Sequence, residues 1–185
     1  IPINKKEFSI KLLSLGKHCI KHDMLAQLFQ IFNKLAKPPF HLERVKYLPN
    51  TNTLSVSLSS QDRYFPLKSL WEKGLKFKLD KIAEPFLTQL IDHLKEHCVI
   101  LHIWNKTNPE DDSISWRRSA IELHEQNKRN ADATDVLIDA IRDCLEYLSE
   151  HHTEKARQWR DQLITEEAPL LHRLAIHNLS SDETL

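Results

Sequence analysis

The stretch DATDVLIDAIRDCLEYL, residues 132 to 148, decides the fold class. Its apolar residues, Ala133, Val136, Leu137, Ala140, Ile141, Cys144, Leu145 and Leu148, recur at alternating steps of three and one. That spacing places all of them on one face of a helix, and Asp132 stands where an N-cap belongs. The same period extends outward. Thr153 is placed to cap a helix that turns Ala156, Trp159 and Leu163 inward. Pro169 opens a last helix with Leu170, Leu171, Leu174 and Ala175. Toward the N-terminus, Ala83, Phe86, Leu87, Leu90, Ile91, Leu94, Cys98 and Leu101 make another stripe, with Asp80 as its cap. Pro85 suits only the first turn of that helix. Pro66 is expected to open a short helix with Leu67, Leu70, Trp71 and Leu75. Phe8, Leu12 and Leu15 suggest a first helix closed by Gly16. Ile20, Met24, Leu25, Leu28, Phe29, Phe32 and Leu35 suggest a second, ended by Pro38-Pro39.

One segment departs from this period. Thr53 to Ser59 alternates with period two, as does Arg44 to Leu48, and Pro49-Asn50-Thr51-Asn52 is turn chemistry between them. The expectation is a mainly α chain of stacked antiparallel helical hairpins, with a small β-hairpin insertion near residues 43–59. Residues 1–185 form one helical domain with a candidate internal boundary at the polar stretch 106–115. The chain starts Ile-Pro-Ile and ends shortly after a helical pattern, which reads as a fragment of a larger protein.

Composition narrows the function. Lys plus Arg and Asp plus Glu are 26 each, so charge gives no push toward nucleic acid or anionic membrane. Two glycines in 185 residues, against roughly 13 at average usage, leave no phosphate-binding loop or dinucleotide fingerprint. Three widely spaced cysteines, Cys19, Cys98 and Cys144, are no disulfide framework; they read as buried thiols of a cytoplasmic protein. The densest apolar run, Val99 to Trp104, is far too short to span a bilayer. No cofactor is implied.

Three groups invite chemistry. His93, His97, Cys98 and His102 suggest a metal, but on one helix the pairs His93/His97 and Cys98/His102 lie roughly 100° or more apart and cannot converge. His18 and His22 repeat the i, i+4 spacing of His93 and His97, and such a pair would hold a metal only with help from elsewhere. Glu110-Asp111-Asp112 lacks the alternating ligands and central Gly of a calcium loop. No metal is expected. The third group is WRRSAIELHEQN, residues 116–127. Arg117, Arg118, Glu122, His124, Glu125 and Gln126 are expected to form a structural polar network. In that reading Arg118 pairs with Glu122, Arg117 lies near Asp111 and Asp112, and Trp116, Ile121 and Leu123 anchor the stretch by burial.

Two resemblances attach to these residues. Arg118 and His124, five residues between them, resemble the Arg-x(4–6)-His motif of the HEPN ribonucleases. The resemblance implies His124 acting on an RNA ribose hydroxyl while Arg118 steadies phosphate, across a dimer. Ser119 departs from the family's usual residue after the Arg. The second resemblance runs through Trp116 to Glu122, His124 to Gln126, Asp135 to Ala140, Arg142 to Leu145, Pro169 to Leu171, Arg173 to Ala175 and His177. Over residues 66–180 the chain resembles the helical C-terminal region of large bacterial antiphage-defence proteins. Some of those carry a sirtuin-like or nucleotide-binding effector module elsewhere in the chain. This resemblance implies a non-catalytic scaffold or sensor that contacts other domains of the same polypeptide or a protein partner. Leu123 stands where it leads one to expect Pro, so the course of residues 116–126 stays open between loop and helix.

Overall fold

A computed structural model describes residues 5–38, 40–44, 54–58, 61–105, 118–128 and 131–182. The chain is mainly helical. Helix α1 spans Lys5–Lys21 and α2 spans Leu25–Ala36. Strand β1 covers Phe40–Arg44 and β2 covers Leu54–Leu58. Helix α3 runs over Gln61–Lys73, a single 3-10 turn over Leu75–Lys78, and α4 over Leu79–Asn105. Helices α5 (Ala133–His151), α6 (Thr153–Ile164) and α7 (Pro169–Asp182) complete the order.

Helix α5 packs on α3, α4, α6 and α7. Its stripe is buried from Ala133 to Leu148, as the spacing of apolar residues requires. The N-terminus is closed by reciprocal hydrogen bonds. Thr134 N donates to Asp132 Oδ1 at 2.8 Å, and Asp132 N donates to Asp135 Oδ2 at 2.9 Å. Two of the four orphan amide donors near the helix start are thereby satisfied, and register at this end is fixed. On the far side Ser149 and Asn178 exchange hydrogen bonds of 3.1 and 2.9 Å between α5 and α7. A second layer, α1, α2 and α3, joins the same core through Phe32, Leu67, Leu70 and Trp71.

Several boundaries differ from the sequence expectation. Helix α1 runs straight through Gly16, and the break comes at His22 to Met24, where Asp23 takes the left-handed conformation (φ 52°). Gly16 is used for close approach instead. A Cβ there would lie 2.5 Å from Leu70 Cδ2, so only hydrogen fits where α1 crosses α3. Leu15 is exposed; Ser9 and Cys19 carry the buried contacts of α1. Pro66 and Pro85 both lie inside helices, not at their starts, and α4 begins one residue before Asp80. His152, not Thr153, is the N-cap of α6.

The two strands pair antiparallel, Phe40 opposite Leu58 through Arg44 opposite Leu54. Thus β1 ends where the sequence alternation suggested it would begin. Residues 45–53 lie outside the described residues, as does the stretch 106–115 read as a boundary.

Candidate functional site

The residues of the 118–128 segment meet α5 in a chain of buried and partly buried charges. Residues 118 to 124 are not helical, and a single 3-10 turn follows at Glu125–Lys128. The i, i+4 geometry that would have paired Arg118 with Glu122 is therefore missing, and the Arg118 guanidinium turns instead to α5. It is 3% exposed. Its NH1 donates to Asp135 Oδ1 at 3.1 Å and its NH2 to Asp139 Oδ1 at 2.5 Å. Nε donates to Ala120 O at 2.9 Å, and NH2 also reaches Ile121 O at 3.2 Å. Every nitrogen of the guanidinium is engaged within the chain. An arginine has five donors in a rigid fork, and here the fork is filled by two carboxylates and the backbone of its own loop.

Arg142 continues the chain. Its NH1 donates to Asp139 Oδ1 at 2.7 Å and to Ile121 O at 3.0 Å, and its NH2 donates to Asp143 Oδ1 at 2.6 Å. The other oxygen of Asp143 accepts from Trp71 Nε1 and from Lys76 Nζ, both at 2.9 Å. One polar network thus ties α3, the 3-10 turn before α4, the 118–128 segment and α5. From α7, Arg173 NH2 donates to Arg118 O at 3.0 Å. Asn127 braces the segment from within: its side chain accepts from Ala120 N at 3.2 Å and donates to Ala120 O and Glu122 O at 2.9 and 3.0 Å.

Electrostatics follow from burial and pairing. Burial raises the Asp143 carboxyl, but Lys76, Arg142 and Trp71 outweigh it and hold the group below the usual carboxylate value of 3.8. Asp135 goes the other way. Burial dominates the Asp132 amide and Arg118, and the carboxyl is raised. Burial also works against the charge of Arg142, and Asp139 and Asp143 more than compensate, so its pKa is raised.

Of the residues the sequence brought forward, only Arg118 is central. His124, Glu125 and Gln126 are exposed, and His124 Nδ1 accepts from the nearby Gln126 N at 3.2 Å. Glu122 is exposed and contributes its backbone carbonyl. Ile121 is buried as expected, but Leu123 is 79% exposed and does not anchor the stretch by burial. Arg117 and Trp116 lie outside the described residues. The missed members are Asn127, Asp135, Asp139, Arg142, Asp143, Arg173, Lys76 and the Trp71 indole. One signal could have found part of them: Asp135, Asp139, Arg142 and Asp143 crowd charge beside the apolar stripe of one helix.

Beside the network lies a cavity of about 330 Å³, lined in part by Tyr64, Lys68, Arg118, Leu123, His124 and Asp139. Arg118 and His124 thus border one space, but the guanidinium faces it with its donors already committed. A phosphate needs unoccupied N–H groups, and the Arg118 pairs would have to break to supply them. Among the described residues, no group of three or more His, Cys, Asp or Glu side chains could hold a metal ion. His97 has both ring nitrogens engaged, with Thr134 and with the Ala36 carbonyl. No helix among the described residues is long and apolar enough to cross a membrane. Comparison with protein families, with curated proteins and with solved structures finds no match for this chain.

Proposed function

We propose that this chain is a non-catalytic helical scaffold or sensor module that makes interdomain or protein–protein contacts. In this reading, drawn from the resemblance to helical regions of large bacterial defence proteins, the module belongs to such a polypeptide. One observation supports the reading above the others: the Arg118 guanidinium, the best candidate for a reactive group, is buried and saturated by its own chain. A group so committed braces structure. The brace holds out the 118–128 segment with Leu123 exposed on the cavity rim, while Phe65, 74% exposed, stands beside the lining residue Tyr64. Leu123 and Phe65 are exposed large apolar side chains that a partner could cover.

The test is the Arg118→Ala variant, followed by its thermal unfolding midpoint and by cleavage of a mixed RNA substrate. A lower midpoint with no cleavage by either protein is the expected result. Cleavage by the unmodified chain that the variant loses at an unchanged midpoint makes the protein a ribonuclease of the Arg118–His124 kind. Contact is tested by amide exchange. Within a longer polypeptide or partner complex, residues 61–73 and 118–128 should gain protection over the isolated chain. Equal exchange in both settings removes that face from the proposal.

A further inference from the structure

The junction where α2 ends, α4 passes and α5 begins is closed by one imidazole. His97 on α4 is 1% exposed. Its Nε2 lies 2.8 Å from the carbonyl oxygen of Ala36, the last residue of α2, and its Nδ1 lies 3.0 Å from Thr134 Oγ1 in the first turn of α5. A carbonyl oxygen can only accept, so Nε2 carries the proton. The Thr134 hydroxyl then donates to the bare Nδ1. This neutral tautomer satisfies both contacts at once. A second proton on Nδ1 sets two donors against each other unless the Thr134 hydroxyl turns away.

The surroundings weigh the same way. Arg63 of α3 donates to Leu35 O at 3.3 Å and to Lys37 O at 2.5 Å, the carbonyls on either side of Ala36. A permanent cation thus already occupies this helix end. His93, one turn earlier on α4, is 7% exposed, and neither ring nitrogen has a hydrogen-bond partner among the described residues. Glu96 approaches its Nδ1 at 3.6 Å. Burial lowers the His97 pKa below the ordinary 6.5, and the Ala36 carbonyl, Asp132 and Glu96 only partly offset this, while His93 adds to it.

We propose that His97 is an acid-released latch, whose protonation frees the C-terminal end of α2 from α4 and α5. The latch is independent of the contact role proposed above. At about pH 7.5, well above the ordinary histidine value, the imidazole is neutral and the junction closed. At about pH 5.5 an exposed histidine would be charged, and one held in this junction gains its proton by opening it.

The experiment is residue-resolved amide exchange at the two pH values, corrected for intrinsic exchange, with an NMR titration of the histidine rings. The expected result is a loss of protection over residues 33–38 at the lower pH, no change over α6 and α7, and a His97 titration below the ordinary range. The His97→Gln variant keeps a donor for the Ala36 carbonyl and cannot titrate here, so its exchange should be independent of pH. A His97 that titrates at or above the ordinary value overturns the latch. So does a pH response that survives in His97→Gln or disappears in His93→Gln alone. If His97→Gln does not fold, the titration and exchange of the unmodified chain decide the matter.

Discussion

Arg118 and Asp143 sit at opposite ends of one chain of charges, and their environments make different predictions. Removing one partner from a buried, hydrogen-bonded pair leaves the other uncompensated, which costs about 3–5 kcal/mol. Arg118→Ala takes one donor each from Asp135, Asp139, Ala120 O and Ile121 O, but the Asp132 amide, Arg142 and Asn127 still serve them and both carboxylates are only partly buried, so chemical denaturation should show a loss below that range, about 1–3 kcal/mol. Arg118→Lys keeps the charge but cannot reach both carboxylates and both carbonyls as a planar fork does. It should therefore recover only part of the loss; full recovery would mean that charge alone matters. Asp143 governs acid sensitivity. Its folded carboxyl lies below the usual 3.8, so the unfolded chain takes up the proton first as pH falls. The stability it supplies is complete above 3.8 and disappears as pH drops through the folded value. Asp135, raised by burial, has the opposite sign: its charged form disfavours folding, and protonation relieves this as pH falls through its raised value. Denaturant midpoints measured from about pH 5 down to about pH 2, which bracket the usual carboxylate range, should fall less steeply for Asp143→Asn than for the unmodified chain. An identical slope would show that Asp143 is not held by its cations.

Single elements show where local rules govern and where packing overrides them. Ala is a better helix former than Gly by about 1 kcal/mol, so Gly16→Ala looks favourable within α1. At the crossing with α3, however, the new Cβ meets Leu70 Cδ2, and that fully buried side chain would have to shift. Overpacking of this kind costs about 1–3 kcal/mol, so the expected result is net destabilisation, read as a lower thermal midpoint. A raised midpoint would mean that Leu70 can repack freely. Helix α5 behaves by local rules. Asp132→Ala removes the acceptor for the Thr134 amide and should cost about 1 kcal/mol. That difference explains what the sequence made legible. The α5 stripe and its Asp132 cap are short-range features, and both could be read from spacing. Whether Gly16 ends a helix or admits a neighbour depends on Leu70, 54 positions away, and spacing within α1 carries no trace of it. The site failed for the same reason. Arg118 could be singled out by type and company, but its partners lie 17 and 21 residues along the chain, beyond an irregular segment. An i, i+4 rule finds Glu122 only if the segment is helical.

At the scale of the whole molecule the central question is whether the helices open together. Helix α5 touches α3, α4, α6 and α7, so exposing its inner face requires most of the core to separate. Cys144 reports on that face. Its side chain is fully buried, and burial, with the Asp143 charge beside it, pushes the thiol pKa far above its ordinary value. The thiolate is the reactive form, so Cys144 should be inert until the core opens. Cys98 on α4 is only partly buried and should label sooner. The expected result under native conditions is slow labelling of Cys144 by a neutral thiol reagent, at a rate that follows global unfolding. Leu137→Ala empties a fully buried position on the same helix and should cost about 2–5 kcal/mol, so Cys144 labelling should accelerate by the matching factor. If Cys144 labels quickly while the helical signal is unchanged and Leu137→Ala has no effect on the rate, then α6 and α7 leave α5 as a unit. In that case the Ser149–Asn178 and Arg173–Arg118 contacts would be joints between two separately opening bodies, and the buried charge network would hold only the larger one together.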